Sequence, residues 1–206
     1  MTQSPTRGRP RDPQVQKRIM RAALEEYARS GWSGFSMYGV ARAANVGKSS
    51  LYLRWRTKEQ LLIDSLESQA AQLTTEVDTG SLRDDIVAVA TELLLYFLDP
   101  VGWTSLRLSL DAKAAAPHLK EFDDRITRPI AATATAVFDR AIERGEISAE
   151  VPAQTATELL FGGVLMHVLS MPADDQPEAR THAAQRVELI VRLLLAGLGA
   201  DSVDAK

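Results

Sequence analysis

Apolar and polar residues follow one another along most of this chain with the period of an α-helix. Between about residue 13 and residue 198, apolar side chains recur every three or four positions, which places them on one helix face. No stretch has a strand pattern long enough to assign. The sequence therefore predicts an all-α protein of about nine helices, over residues 13–30, 37–44, 48–55, 57–77, 81–98, 102–115, 118–144, 152–171 and 178–198.

Local capping signals define several of these helix ends. Gly31 is the predicted C-cap of the first helix, and Ser36 is the predicted N-cap of the second. Thr57 and Gln60 have the spacing of a capping box that opens the fourth helix. Pro129 predicts a kink in the long seventh helix, because proline has no backbone N–H to donate.

The stretch from Ser36 to Thr57 combines two short helices with a tight turn. The predicted turn is Asn45-Val46-Gly47, where one residue usually has positive φ, a conformation that asparagine tolerates. The second short helix then presents small, basic and hydrogen-bonding side chains, as a helix in the DNA major groove requires. Taken alone, the pattern is equally consistent with an ordinary pair of packed helices that has a solvated basic face.

The distribution of charge favours the DNA-binding interpretation. Residues 1–60 contain 12 Lys and Arg against 4 Asp and Glu, whereas residues 61–206 contain 12 against 23. A basic head on an acidic body is typical of a protein that binds a polyanion through one part only. Residues 1–11 form a predicted flexible basic arm. Its Arg9 and Arg11 either enter a minor groove or belong to a generally attractive tail.

Composition and spacing exclude several other classes of protein. The chain contains no cysteine, which excludes disulfides, thiolate catalysis and cysteine-ligated zinc. Its three histidines lack metal-ligand spacing and no glycine-rich phosphate loop follows a strand, so we expect no metal, no cofactor and no enzyme activity. No apolar run approaches the roughly 18 residues of a membrane span, and no signal peptide is evident. We therefore expect a cytoplasmic protein that does not bind membranes.

Residues 19–62 closely resemble the DNA-binding domain of the tetracycline-repressor (TetR) family of bacterial regulators. The matching positions are Gly31-Trp32, Ser36-Met37, Val40-Ala41, Ala44, Val46, Leu51-Tyr52, Trp55 and Lys58-Glu59. The departures are Glu26 in place of an apolar residue, Asn45 in place of glycine, Gly47 in place of a serine N-cap and Trp55 in place of phenylalanine.

The resemblance implies an all-helical dimer whose variable C-terminal domain binds a small effector. DNA contacts are then expected from the second short helix and the residues around it. Lys58 is among them because the helix dipole disfavours a cation in the first turn of a helix unless a phosphate lies near. With the two arginines of the arm, the candidate DNA-binding residues are Ser36, Tyr38, Lys48, Ser49, Ser50, Tyr52, Arg54 and Lys58.

Aromatic residues are concentrated in the helices predicted between Leu82 and Phe138. Arg107 and Asp111 are one helical turn apart among them, which predicts an apolar cavity with polar groups on its wall. The alternative is that the aromatic residues fill the core and the charged pair is an exposed bridge. The candidate ligand-binding residues are Tyr96, Trp103, Arg107, Asp111, His118, Phe122 and Phe138.

The last two predicted helices are too broadly apolar to face water. Gly162-Gly163 lies inside the first of them, at a cost of about 1 kcal/mol per glycine relative to alanine. Close approach of another helix accounts for that cost, and a four-helix contact between two copies covers both apolar faces. The predicted dimer-interface residues are Phe161, Gly162, Val164, Leu165, Val187, Val191 and Leu194.

The sequence therefore predicts three parts: the basic arm, a three-helix helix-turn-helix domain at residues 12–57, and a larger effector-binding and dimerisation domain at residues 58–206. The predicted function is a homodimeric repressor that binds a pseudo-palindromic double-stranded operator and is released by a small, largely apolar effector. A constitutive or architectural DNA-binding protein without an effector is the alternative.

Overall fold

The computed structural model describes residues 13–115 and 120–199, and all regular structure in these residues is helical. The predicted all-α class is therefore confirmed for the described part of the chain. Eleven α-helical segments are found there, against about nine predicted, because two predicted helices are each interrupted. Their bounds are α1 Pro13–Gly34, α2 Met37–Ala43, α3 Lys48–Tyr52, α4 Lys58–Ala70, α5 Leu82–Leu98, α6 Pro100–Ala115, α7 Lys120–Phe122, α8 Arg128–Arg144, α9 Ala153–Ser170, α10 Gln176–Thr181 and α11 Ala183–Leu198.

The chain divides into two compact units, residues 1–65 (unit 1) and residues 66–206 (unit 2). The division falls within α4. Unit 1 buries its own core of apolar side chains, contributed by α1 to α4 and the links between them. That core comprises Ile19, Ala22, Ala23, Leu24, Tyr27, Phe35, Met37, Val40, Ala41, Ala44, Leu51, Trp55, Leu61, Leu62 and Ile63.

Two predicted features of unit 1 are confirmed, and a third, the end of the first helix at Gly31, is found as a kink. Gly31 has φ +62° and ψ −175°, a region that only glycine readily occupies, and it breaks α1 before a last turn to Gly34. The Ser36 hydroxyl caps α2 by accepting the N–H of Gly39 at 3.1 Å. Asn45 supplies the positive φ of the turn between α2 and α3, at +51°.

Helix α3, the second helix of the helix-turn-helix and the candidate recognition helix, ends earlier than predicted. It ends at Tyr52, and the prediction of a helix to Trp55 is wrong. The chain turns after Leu53 and buries Trp55, whose indole N–H donates to Asp64 of α4 at 2.8 Å. This contact ties the end of the helix-turn-helix to α4.

The predicted helix over residues 57–77 starts correctly but ends too late. Thr57 caps α4 through its hydroxyl, which accepts the N–H of Gln60 at 3.1 Å. The α-helix ends at Ala70, a 3₁₀ turn follows over Ala71–Thr74, and residues 75–81 form a non-helical connector.

Ion pairs hold this connector in its non-helical path. Arg140 of α8 donates to the carbonyl of Val77. Arg144 lies 3.6 Å from the carboxylate of Asp78 and 3.4 Å from that of Asp85. Asp85 is fully buried and also accepts the backbone N–H and the hydroxyl of Thr79 at 2.6 and 2.7 Å. The contacts of Arg140 and Arg144 join residues about 60 positions apart in sequence, so the local pattern cannot reveal them.

Unit 2 is built on α5, α8, α9 and α11, which share one apolar core. The predicted helix over residues 118–144 is interrupted by a π-helical turn over Asp123–Thr127, just before Pro129. There the N–H of Arg128 bonds the carbonyl of Asp123, five residues back. The predicted helix over residues 178–198 is broken at His182 into α10 and α11.

Of the helices in the described residues, none is by itself long and apolar enough to cross a membrane, although two pairs pass that test when joined across sharp bends.

Candidate DNA-binding surface and apolar cavity

The side chains of α3 and the start of α2 form a continuous polar surface on unit 1. We call it the recognition surface and define it by Tyr38, Lys48, Ser49, Ser50 and Tyr52. Tyr38 and Tyr52 are 59% and 51% exposed. The ammonium of Lys48 lies 4.7 Å from the centre of the Tyr38 ring, which holds the cation beside the aromatic face. The surface therefore offers hydroxyls, phenols and one positioned cation, all suited to phosphates and base edges.

Two other predicted DNA-binding residues, Ser36 and Arg54, already form hydrogen bonds with α2 and α3. The Ser36 hydroxyl is used as the cap of α2. Arg54 follows α3, and its guanidinium donates to the carbonyl of Ser50 at 2.8 Å and lies 3.4 Å from the Ser50 hydroxyl. Arg54 therefore satisfies a C-terminal carbonyl of the recognition helix. Its Nε atom is buried and has no hydrogen-bond partner among the described residues.

Lys58 binds the protein itself at the start of α4. Its ammonium donates to the carbonyls of Trp32 and Phe35 at 3.2 and 3.1 Å and lies 4.1 Å above the Trp32 ring. Two of its three hydrogens are used in this way, which leaves one for a phosphate. Arg9, Arg11 and His118 lie outside the described residues.

Unit 2 contains an apolar cavity of about 260 Å³. Its wall is formed by the 3₁₀ turn after α4, by α5, α6, α8 and α9, and by the π-helical turn. A larger groove of about 610 Å³ runs along α5, but it is more open and carries the carboxylates of Asp84 and Glu92. The residues that line the apolar cavity are Leu73, Leu93, Tyr96, Phe97, Ser105, Leu106, Ser109, Ile126, Thr127, Ile130, Ala131, Phe161, Gly162 and Leu165.

Tyr96 is the largest polar side chain of the cavity wall. It is only 5% exposed, and its hydroxyl has no hydrogen-bond partner among the described residues. Burial raises the pKa of the Tyr96 phenol, Ser105 partly offsets the increase, and the negative charge of Asp99 adds to it. Ser105 is thus near enough to affect the pKa, although the two hydroxyls do not meet with hydrogen-bond geometry. The phenol is therefore neutral at physiological pH.

The other predicted ligand-binding residues are not among those that line the cavity. Trp103 and Arg107 lie on the exposed face of α6, and Asp111 is partly buried farther along the same helix. Phe122 and Phe138 are fully buried in the packing of unit 2. The inward face of α6 instead carries the small or apolar residues Ser105, Leu106 and Ser109. Aromatic and charged side chains were the sequence signal for a ligand site, and these three residues carry neither.

The predicted dimer-interface residues separate into three groups. Val164, Val187 and Val191 are buried in the core of unit 2, so they cannot touch a second copy. Phe161, Gly162 and Leu165 line the cavity, and Leu194 packs against the core. A different set of apolar side chains on α9 and α11 is exposed. We call it the exposed stripe; it comprises Leu159, Met166, Leu169, Leu189 and Leu193, with the exposed Gly162 among them.

Comparisons with known proteins agree with this architecture. Residues 19–64 match the family described as "Bacterial regulatory proteins, tetR family", and residues 76–196 match "Tetracyclin repressor-like, C-terminal domain". The DNA-binding transcriptional repressor TetR of Mycobacteroides abscessus is 32% identical over 166 residues, which cover 76% of this chain and 84% of that protein.

Two solved structures share the fold. Salmonella enterica GusR superposes with a TM-score of 0.70 at 21% identity, covering 92% of this chain and 97% of GusR. Bacillus subtilis FadR, solved with stearoyl-CoA, superposes with a TM-score of 0.66 at 17% identity, covering 87% of this chain and 97% of FadR. This chain belongs to the tetracycline-repressor family of bacterial DNA-binding transcriptional regulators, which are not enzymes.

Proposed function

We propose that this protein is a homodimeric repressor that binds a pseudo-palindromic operator and is released from it by a small, largely apolar effector. The observation that carries this proposal is the cavity of about 260 Å³ in unit 2. A constitutive DNA-binding protein gains nothing from such a space, whereas an effector-binding protein needs it.

The recognition surface supports DNA binding by this chain. Its tyrosines and serines donate to phosphates, and Lys48 adds a charge that releases a counterion on binding. The repressor named TetR in Mycobacteroides abscessus supports repression as the outcome. FadR, a neighbour of this fold, was solved with stearoyl-CoA, a ligand in which a long apolar acyl chain is joined to a charged coenzyme A group, so it supports binding of a molecule with a large apolar part.

The exposed stripe supports assembly as a dimer. Five large apolar side chains on two adjacent helices form a patch that soluble monomers rarely expose. Gly162 lies in the stripe, and a Cβ added there would meet no atom within 4 Å, so a second copy has room to approach closely. Two copies related by a two-fold axis cover the stripe and supply the two recognition helices that a palindrome requires.

The helix α4 supports communication between effector and operator. Its first residues are fixed to the helix-turn-helix by Lys58 and by the bond from Trp55 to Asp64. The helical backbone continues to Thr74, and Leu73 near its end lines the cavity. A ligand that favours one position of Leu73 therefore favours one position of α4, which shifts the spacing of the two recognition helices.

The proposal is tested first on DNA. The purified protein selects its operator from random duplex DNA, and fluorescence anisotropy then measures the affinity. We expect half-sites about 34–36 Å apart, a steep fall of affinity with salt, and weaker binding by Lys48→Ala. Lys113→Ala, which removes an exposed lysine of unit 2, is the matched control and should bind normally.

The effector is tested with neutral apolar compounds that raise the melting temperature of the protein. Each binder should weaken operator binding about 5- to 150-fold, and the operator should weaken its binding by the same factor. A compound that saturates unit 2 with equal affinity in the presence and absence of operator would refute release by an effector. The constitutive DNA-binding alternative would then be favoured.

A further inference from the structure

The polar groups around the cavity restrict the chemistry of its ligand. No charged side chain is found among the described residues that line it, and most of the wall is hydrocarbon. An ionised carboxylate or amine placed there has no counter-charge, and burying an unpaired charge is strongly unfavourable. The wall therefore selects against charged ligands.

The Tyr96 hydroxyl is the buried hydroxyl of this wall that lacks a hydrogen bond within the described part of the chain; the Ser105 hydroxyl lies close to it but outside hydrogen-bond geometry. The Ser109 hydroxyl, on the same wall, already donates to the Ser105 carbonyl at 3.0 Å. The Tyr96 side chain is 95% buried, and its hydroxyl has no partner among the described residues. A buried hydroxyl without a partner is costly, so a ligand oxygen that accepts its hydrogen binds favourably.

We infer that the cavity binds neutral, largely apolar molecules that carry one hydrogen-bond acceptor, and that Tyr96 is the residue that recognises this acceptor. The inference rests on the proposed effector function and specifies its ligand. A volume of about 260 Å³ holds roughly a dozen non-hydrogen atoms at the packing density of protein interiors. Aromatic ketones of two fused rings have this size and chemistry, as do medium-chain ketones and esters.

Three probes of equal size and shape separate the two parts of the inference. They are 2-acetylnaphthalene, a neutral ketone; 2-isopropenylnaphthalene, its hydrocarbon analogue; and 2-naphthoate, the corresponding anion. Calorimetry or ligand-detected NMR measures their binding to the full chain without DNA. We expect the ketone to bind about fivefold more tightly than the hydrocarbon, as one neutral hydrogen bond provides. The anion should bind at least about 100-fold more weakly than the ketone.

Two variants assign the preference to Tyr96. Tyr96→Phe should reduce the affinity for the ketone to that for the hydrocarbon and leave the hydrocarbon's affinity unchanged, which also shows that the cavity is intact. Ser109→Ala removes a hydroxyl from the same wall that is already engaged, so its preference for the ketone should remain. If Tyr96→Phe keeps the preference, or if wild type binds ketone and hydrocarbon equally, the assignment of Tyr96 is overturned.

The remaining outcomes are equally decisive. Binding of 2-naphthoate as tight as that of the ketone overturns the selection against charge. Failure of all three probes to bind at their solubility limits overturns the proposed ligand class. Because these measurements use no DNA, a ketone that binds through Tyr96 without releasing the operator would count against effector release and leave the present inference standing.

Discussion

Replacing Gly102 with alanine tests the corner between α5 and α6, which positions two residues of the cavity wall. A Cβ added to Gly102 would lie 2.2 Å from the carbonyl oxygen of Tyr96, 2.8 Å from its carbonyl carbon and 2.9 Å from the Cα of Phe97. All three atoms belong to the backbone of α5, so no side-chain rotation relieves the clash. Gly102 is thus required by the close approach of α6 to α5.

The expected loss of stability follows from two opposing terms. Overpacking a core typically costs about 1–3 kcal/mol, and a clash with helix backbone belongs at the upper end. Alanine gains up to about 1 kcal/mol over glycine inside a helix. We therefore expect Gly102→Ala to lower the free energy of unfolding by about 2 kcal/mol and the melting temperature by roughly 4–8 °C.

The assay is urea unfolding followed by circular dichroism at one fixed protein concentration. Gly197→Ala is the control, because a Cβ there meets no atom within 4 Å on α11, and this variant should be as stable as wild type or more stable. Displacement of Tyr96 and Phe97 should also weaken binding of the neutral ketone to Gly102→Ala. If Gly102→Ala unfolds at the same urea concentration as wild type or a higher one, the described α5–α6 corner is wrong.

Three further substitutions test other parts of the structure. Met166→Glu places a charge in the exposed stripe and should give a folded monomer in analytical ultracentrifugation. The control Ala132→Glu places a charge on the exposed side of α8 and should remain a dimer. If Met166→Glu remained a dimer, the exposed stripe would not be the interface. Arg144→Ala removes a charged partner of the fully buried Asp85 and should lower the free energy of unfolding, measured in urea, by about 2–3 kcal/mol. If the free energy of unfolding fell by less than about 0.5 kcal/mol, the connector would be held by other contacts. Burial raises the pKa of Tyr96, so folding favours its neutral phenol. This contribution to the free energy of unfolding is fully present below about pH 10, the pKa of tyrosine in the unfolded chain, and is lost as the pH rises through the higher pKa of Tyr96 in the folded protein. Urea midpoints above about pH 9 should therefore fall less steeply for Tyr96→Phe than for wild type, and equal slopes would exclude Tyr96 as a source of the alkaline loss.

The sequence best predicted the helices whose ends carry local capping residues. Ser36 and Ser81 cap α2 and α5 through their own hydroxyls, and Gly145 ends α8 in the left-handed region at φ +76°. Each of these signals acts within four residues, so the chain expresses it regardless of the tertiary fold. Residues 75–77, at the start of the connector, were predicted as helix because Arg140, which holds Glu76 and Val77 in a non-helical path, comes from α8.

The faces of α6 and α9 could not be assigned from the sequence for a different physical reason. α9 is apolar on nearly every side, since Val164 is in the core, Phe161 lines the cavity and Met166 is exposed. A helix of this kind has no polar face to mark the solvent side, so periodicity cannot separate core, cavity and interface. On α6, Trp103 and Arg107 suggested a ligand site by their chemistry, yet the cavity is bounded by the small Ser105 and Ser109, because a cavity needs side chains that leave space.

Lys58 shows how a structural role and a proposed DNA-binding role can belong to one residue. A cation in the first turn of α4 is disfavoured by the helix dipole, and the sequence alone offered a DNA phosphate as its compensation. The protein supplies another, since the carbonyls of Trp32 and Phe35 and the Trp32 ring all stabilise the ammonium. The ammonium is therefore already fixed in position before DNA arrives, so a phosphate contact through its remaining hydrogen would cost little further side-chain entropy. The same bonds tie α4 to the helix-turn-helix, so under the proposed effector mechanism a displacement of α4 would move α3 and the proposed phosphate contact of Lys58 together.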